Sequence, residues 1–241
     1  VDRQKRLGCH TGRALSGILK RRCSGESLYY ILGKAEFMGL EFKVTPDCLI
    51  PRPETELLVE TVASFGRASS SGFNILDIGT GSGCIAISLA SMLTNAAVTA
   101  TDISAEALEI ASDNAARLGV KDRIDFICAD MFPPARVRSF DCIVSNPPYI
   151  RSADIDCLAP EVRSEPRIAL DGGPDGLRFF RDIISAGFKY LKPMGTIVME
   201  TGFDQAQAVA QLAADSKKYK VKNVIRDYNG MQRIVVVTKD F

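Results

Sequence analysis

The 241 residues contain one histidine, no tryptophan and no Cys-x-x-Cys pair. His10 stands alone in a polar stretch, so no metal is expected. The seven cysteines are scattered singly, which argues against a dithiol centre and for a reducing cytoplasm. Cys84, Cys128 and Cys142 fall inside apolar runs and are expected to act as small buried hydrophobes. No apolar run approaches the roughly 18 residues that a membrane helix needs, so no membrane span is expected. A signal-peptide pattern, internal repeats and low-complexity tracts are absent too.

What is present is ordinary globular make-up. Apolar residues are 46% and charged residues 24%, enough for a sizeable core and too apolar for disorder. The length fits one domain with a small N-terminal addition. A net charge of +1 conceals an asymmetry: Arg3, Lys5, Arg6, Arg13, Lys20, Arg21 and Arg22 meet only Asp2 within residues 1–25, which leaves the remainder at −5. Such an arm suits RNA or an acidic protein face, or it is simply a solvated helix end.

Residues 26–50 read as a hairpin, with Ala35–Phe37 and Leu40–Val44 around Gly39. Pro51-Arg52-Pro53 is a stiff lead into a helix, with Glu54 and Glu56 in its dipole-favoured first turn. Leu57, Leu58, Thr61, Val62 and Phe65 form its apolar stripe. Residues 66–72 are a linker-like loop. Then strand and helix alternate: strand 74–78, helix 84–93, strand 97–102, helix 105–118, and strands 124–128 and 140–145. This alternation predicts a doubly wound α/β fold, a parallel sheet with helices on both faces. A polar loop over 150–175 is too long for a mere connector and is expected to wall a substrate site. Helix 176–190, strand 195–200, helix 204–214 and strands 219–227 and 232–238 complete the chain, the last two joined through the hairpin signal Asn229-Gly230.

Three motifs lie where such sheets bind ligands, beyond the carboxyl ends of strands. In Asp77-Ile78-Gly79-Thr80-Gly81-Ser82-Gly83 an apolar run ends in three alternate glycines, which let a ligand approach bare backbone at a helix N-terminus. The spacing is G-x-G-x-G, not the dinucleotide G-x-G-x-x-G, and the acid Asp77 disfavours a pyrophosphate. Asp102 ends the next strand, at the spacing of a ribose-binding carboxylate. Ser145-Asn146-Pro147-Pro148-Tyr149 leaves a strand through two prolines, which fix the backbone. Asn146 can thereby hold its side-chain carbonyl beside the free carbonyl of Pro147. Two acceptors aimed at one point suit an uncharged planar –NH2 group, and Tyr149 offers a flat face beside it.

Asp77–Gly83, Asp102 and Asn146–Tyr149 together resemble the class I S-adenosylmethionine-dependent methyltransferases that modify planar nitrogens. Tyr30–Gly33, Phe37–Phe42, Leu49-Ile50-Pro51-Arg52-Pro53-Glu54-Thr55-Glu56, Glu161–Leu177 and Asp227…Gly230…Arg233 narrow the resemblance to the release factor glutamine methyltransferases (HemK/PrmC type). It spans about residues 26–241. The resemblance implies a Rossmann-like, mostly parallel seven-stranded sheet with an antiparallel last strand. It implies a helical N-terminal domain of which residues 1–25 are a remnant, then the hairpin, lead-in and first helix at 26–72, and the methyltransferase domain at 73–241. The implied cofactor, S-adenosyl-L-methionine, would be held by Asp77, Gly79, Thr80, Gly81, Ser82, Gly83, Asp102, Asp130, Met131 and Asn146. Met131 stands where many members carry tryptophan against the adenine. Arg52 and Thr55 are further candidate cofactor contacts, or caps of their helix. Asn146, Pro147, Pro148 and Tyr149 would bind the substrate and carry catalysis. That substrate is the glutamine of the Gly-Gly-Gln motif in a peptide chain release factor. A cytoplasmic monomer that binds neither membrane nor, directly, nucleic acid is expected. The alternatives are methylation of adenine's exocyclic amine in nucleic acid, which needs base flipping, and a non-catalytic cofactor-binding module.

Overall fold

Consecutive strand residues point to opposite faces of one sheet, and helices bury both faces. The computed structural model describes residues 9–134 and 139–240, with side chains from residue 15 onward. Arg3, Lys5 and Arg6 of the basic arm lie outside the described residues, as do the side chains of His10 and Arg13. The chain runs α1 (Cys9–Cys23), α2 (Leu28–Leu32), β1 (Lys34–Phe37), β2 (Leu40–Lys43), α3 (Glu54–Ala68), β3 (Phe73–Ile78), α4 (Cys84–Met92), β4 (Ala96–Asp102) and α5 (Ala105–Arg117). It continues with β5 (Ile124–Cys128), β6 (Phe140–Ser145), α6 (Pro160–Arg163), α7 (Arg178–Gly187), β7 (Leu191–Glu200), α8 (Ala206–Asp215), β8 (Tyr219–Arg226) and β9 (Gln232–Lys239).

Seven strands form the main sheet in the order β5-β4-β3-β6-β7-β9-β8. β5 through β7 are parallel, and β9 runs antiparallel to both its neighbours. Ile75, Val98, Cys142, Val198 and Val236 bury against α3, α4 and α5 on one face. Leu76, Ile143, Ile197, Val235 and Val237 bury against α7 and α8 on the other. Apolar residues on both sides of each strand are what a sheet covered on both faces requires. From β3 the chain winds outward to β5, then returns to β6 on the opposite side of β3. The topological switch point therefore lies between β3 and β6, where α/β sheets open a binding crevice. The glycine loop follows β3, and Asn-Pro-Pro-Tyr follows β6. Among the described residues, no helix is long and apolar enough to cross a membrane.

The hairpin β1–β2 is separate from this sheet; Phe37 and Phe42 bury in the same core cluster as α3 and α4, and polar contacts fasten its backbone. Met38 and Gly39 at its tip both have positive φ (51° and 71°), the mirror-image turn that matches strand twist. The Met38 amide donates to Glu56 Oε1 (2.6 Å) in α3. From α5, fully buried Asn114 accepts from the Lys43 amide (2.8 Å) and donates to the carbonyls of Lys43 (3.0 Å) and Ser82 (2.9 Å). One amide thus ties hairpin, helix and glycine loop together.

Several sequence expectations need correction. α7 spans 178–187, not 176–190, because Gly176 takes a positive φ (73°) just before it. β7 starts at Leu191 instead of 195; Pro193 and Gly195 disguise an irregular start, with the register slipping between Phe140 and Cys142 on its partner. The 150–175 loop contains three short helical turns at Ser152–Cys157, Pro160–Arg163 and Arg167–Ala169. Cys84 and Cys142 are buried, but Cys128 is exposed, since it ends the edge strand β5. Two cations of the basic arm are paired within the chain, Arg21 with Glu26 and Arg22 with Glu161.

Candidate active site

The glycine loop is shaped from beneath by its neighbours. The amides of Gly79 and Thr80 both donate to the Thr101 carbonyl (2.9 and 3.0 Å), and the Gly81 amide donates to Asp102 Oδ2 (2.8 Å). Gly79 and Gly81 have φ of 72° and 55°, and a Cβ on either would meet no atom within 4 Å. Bare backbone here faces open space. Gly83 differs: a Cβ on it would come within 2.8 Å of Ile87 Cδ1 and 3.0 Å of Ala111 Cβ. Its role is the close packing of α4 and α5 under the loop.

Above the loop lies a cleft open to solvent. Gly79 and Gly81 form its floor, Asp102, Asp130 and Met131 one side, and Asn146, Pro147 and Pro148 another. Asp102 Oδ1 accepts from the Ser104 amide (3.0 Å). With two of its roughly four lone-pair positions engaged, the carboxylate retains two for further donors. Met131 adopts φ 61°, its carbonyl held by the Thr101 hydroxyl (2.7 Å), and its side chain reaches the cleft beside exposed Asp130. Ile103, Ile168, Phe179 and Ile183 complete an apolar lining that the sequence reading missed. In the Phe179-Phe180 pair of α7, Phe180 is fully buried and Phe179 faces the cleft.

Five of the expected site residues do not line this cleft. Asp77 is fully buried beneath the loop, where the Thr80 hydroxyl donates to its Oδ2 (2.7 Å) and no described group reaches Oδ1. Burial pushes its pKa up to about 7, against the pull of Thr80 and the nearby Ala86 amide. Thr80 and Ser82 are buried too, and Gly83 packs as described. Tyr149 is half-buried against the second core cluster. Burial, with the Glu200 charge adding to it, raises its hydroxyl pKa to about 12, so the phenol stays protonated.

The Asn-Pro-Pro-Tyr turn is braced from behind. Gln205 Nε2 donates to the Tyr149 carbonyl (2.9 Å), and the Gly172 amide donates to the Ile150 carbonyl (2.8 Å). A Cβ on Gly172 would stand 2.8 Å from the Pro148 carbonyl oxygen, and one on Gly176 only 2.4 Å from that of Tyr149. The loop expected to wall a substrate site thus supports the motif's backbone and, through Ile168, lines the cleft. Asn146 itself donates from Nδ2 to Thr55 Oγ1 (3.1 Å). Thr55 therefore touches the motif and is not a helix cap.

Arg52 reaches neither the cleft nor a cap. Its guanidinium pairs with Glu165 Oε1 (2.5 Å), while Glu165 Oε2 accepts from the Ile50 amide (3.2 Å). This bracket fastens the 150–175 loop to the lead-in before α3. Arg52→Ala leaves the Glu165 carboxylate, 2% exposed, without its partner. Because Arg52 is itself 30% exposed, water enters and moderates the cost to about 1–2 kcal/mol. The melting temperature should drop by about 3–6 °C, read by a thermal scan.

A family model described as methyltransferase small domain fits residues 53–161. A release factor glutamine methyltransferase from Moorella thermoacetica is 46% identical over 89% of this chain and 76% of its own length. One from Geobacter sulfurreducens is 44% identical over 98% of this chain and 81% of its own. The chain belongs to the release factor glutamine methyltransferases. A solved structure titled protein-(glutamine-N5) methyltransferase (release factor-specific), from Alicyclobacillus acidocaldarius, aligns with a TM-score of 0.50 at 33% identity, over 83% of this chain and all of its own. Enzymes of this family use S-adenosylmethionine. The cleft fits that cofactor: bare glycine backbone at a helix start, a carboxylate with free lone pairs, and an apolar side chain beside an acid.

Proposed function

We propose that this enzyme transfers the methyl group of S-adenosylmethionine to the side-chain amide nitrogen of a glutamine, that of the Gly-Gly-Gln motif in a peptide chain release factor. The observation that carries the reading is the fixed Asn146 amide, which gives its Nδ2 to Thr55 and keeps its oxygen available at the cleft. With the Pro147 carbonyl beside it, the site holds two acceptors for one uncharged –NH2 group.

The cofactor would lie along Gly79 and Gly81, with Asp102 accepting from its ribose hydroxyls. Asp130 would face the exocyclic amine, and Met131 would cover the adenine. Bound there, it supplies a methyl group already activated on a sulfonium. The chain's own work is then positioning. An amide nitrogen is a poor nucleophile because its lone pair is delocalised into the carbonyl. Asn146 Oδ1 and the Pro147 carbonyl would each accept one of its N–H bonds, orienting the nitrogen and favouring the positive charge that develops on it. Tyr149, protonated and held against the core, acts as a wall and not as a base, and the extra proton on the methylated nitrogen leaves to water. A release factor in the cytoplasm is the partner this reading requires, with the enzyme acting as a monomer.

The test is direct competition. Labelled S-adenosylmethionine with a Gly-Gly-Gln peptide should give methyl on the glutamine side chain, and an adenine-containing oligonucleotide should neither accept label nor compete. Label on adenine would replace this reading with the nucleic-acid one.

A further inference from the structure

Thr55 sits in the first turn of α3, 2% exposed, with Asn146 Nδ2 on one side and Glu200 at the end of β7 on the other. Glu200 is 1% exposed, its Oε2 has no described partner, and the Thr55 hydroxyl lies near enough to its carboxyl to oppose the rise of its pKa. A threonine hydroxyl has one proton to give. If Glu200 is ionised it can only accept, so Thr55 donates to it and must accept from Asn146. An asparagine amide facing that acceptor has one orientation: nitrogen inward, oxygen outward.

We infer that Thr55 and Glu200 are positioning residues for the transfer: the Glu200 carboxylate fixes the Thr55 proton, and Thr55 fixes the Asn146 amide with its oxygen toward the substrate. This rests on the glutamine-amide reading above. Neither residue touches the reacting atoms. Burial raises the Glu200 pKa to about 7, opposed by Thr55, by Arg233 on β9 and by Arg52, while Glu54 adds to the rise. Tyr149 also feels the Glu200 charge and stays protonated throughout. When Glu200 takes up a proton it can donate to Thr55, and Thr55 is then free to donate to Asn146 Oδ1. The substrate's acceptor is lost in that state, so turnover should fall as pH drops through about 7.

The test uses the whole chain, a Gly-Gly-Gln peptide and labelled S-adenosylmethionine. Thr55→Val, which keeps the shape and removes the hydroxyl, should lower kcat about ten- to hundredfold. Calorimetry should find its cofactor Kd within about twofold of wild type. Thr55→Ser should restore most of the rate. Glu200→Gln should be slow and should lose the acid limb near pH 7. Asp77, also raised to about 7, is intact in that variant, so a limb that persists belongs to Asp77 and overturns the inference. Unchanged kcat in Thr55→Val, a Thr55→Ser as slow as Thr55→Val, or cofactor affinity falling with kcat would overturn it as well. If the wild type leaves the peptide unmethylated, the glutamine reading fails and the inference with it. If the wild type methylates it and the variants match, the inference alone fails.

Discussion

Gly81→Val should weaken S-adenosylmethionine binding by more than about a hundredfold, a larger loss than Asp102→Ala causes. Two effects add. Gly81 holds φ 55°, and a β-branched residue there costs about 1–2 kcal/mol before any ligand arrives. The new methyl groups would also stand in the open space that a Cβ at Gly81 enters, which is where the cofactor must approach. Asp102→Ala is the natural comparison. It removes charge-assisted hydrogen bonds worth about 1.5–3 kcal/mol, or roughly ten- to a hundredfold in affinity. It also frees the Gly81 amide, which now donates to Asp102 Oδ2, so part of its effect acts through loop shape. Titration calorimetry on both variants checks the order. Asp102→Ala binding as tightly as wild type would remove Asp102 from the cofactor site.

The second large effect is on turnover. Asn146→Ala should lower kcat by about 10²–10³, the scale for losing one preorganised acceptor in a transition state. Cofactor affinity should change much less, because loop and Asp102 are untouched. The Pro147 carbonyl remains, held by the rigid Pro-Pro backbone, so some rate should survive. Single-turnover kinetics with a Gly-Gly-Gln peptide separate the two quantities. Full activity in Asn146→Ala would mean that the amide is not gripped there.

Much of this was legible before the fold was seen, for physical reasons. Strand–helix alternation with apolar residues at both strand parities can only be buried in a sheet covered on both faces. Glycine at alternate positions after a strand, and a Pro-Pro dipeptide after another, are local signals that need no tertiary context. What stayed hidden depends on contacts distant in sequence. Asp77 reads as a ligand residue because it adjoins the glycines, yet the loop folds over it and leaves it buried. Arg52 reads as a cofactor contact, but its partner Glu165 lies more than a hundred residues away. Thr55 and Glu200 carry no motif linking them, and only the packing of α3 beside β7 brings them to Asn146. Asn114 had a usable signal: it is the polar residue on the apolar face of α5, alongside Ala107, Leu108, Ile110, Ala111 and Ala115. A buried amide of that kind must be satisfied, and the hairpin and glycine loop satisfy it.

The most direct measurement is to incubate the enzyme with labelled S-adenosylmethionine and a cell extract, then identify the labelled molecule and the modified atom. The account predicts a release factor carrying one methyl group on the side-chain nitrogen of its Gly-Gly-Gln glutamine, with the label lost in Asn146→Ala. Label on adenine in nucleic acid, or on a protein residue other than glutamine, would contradict it.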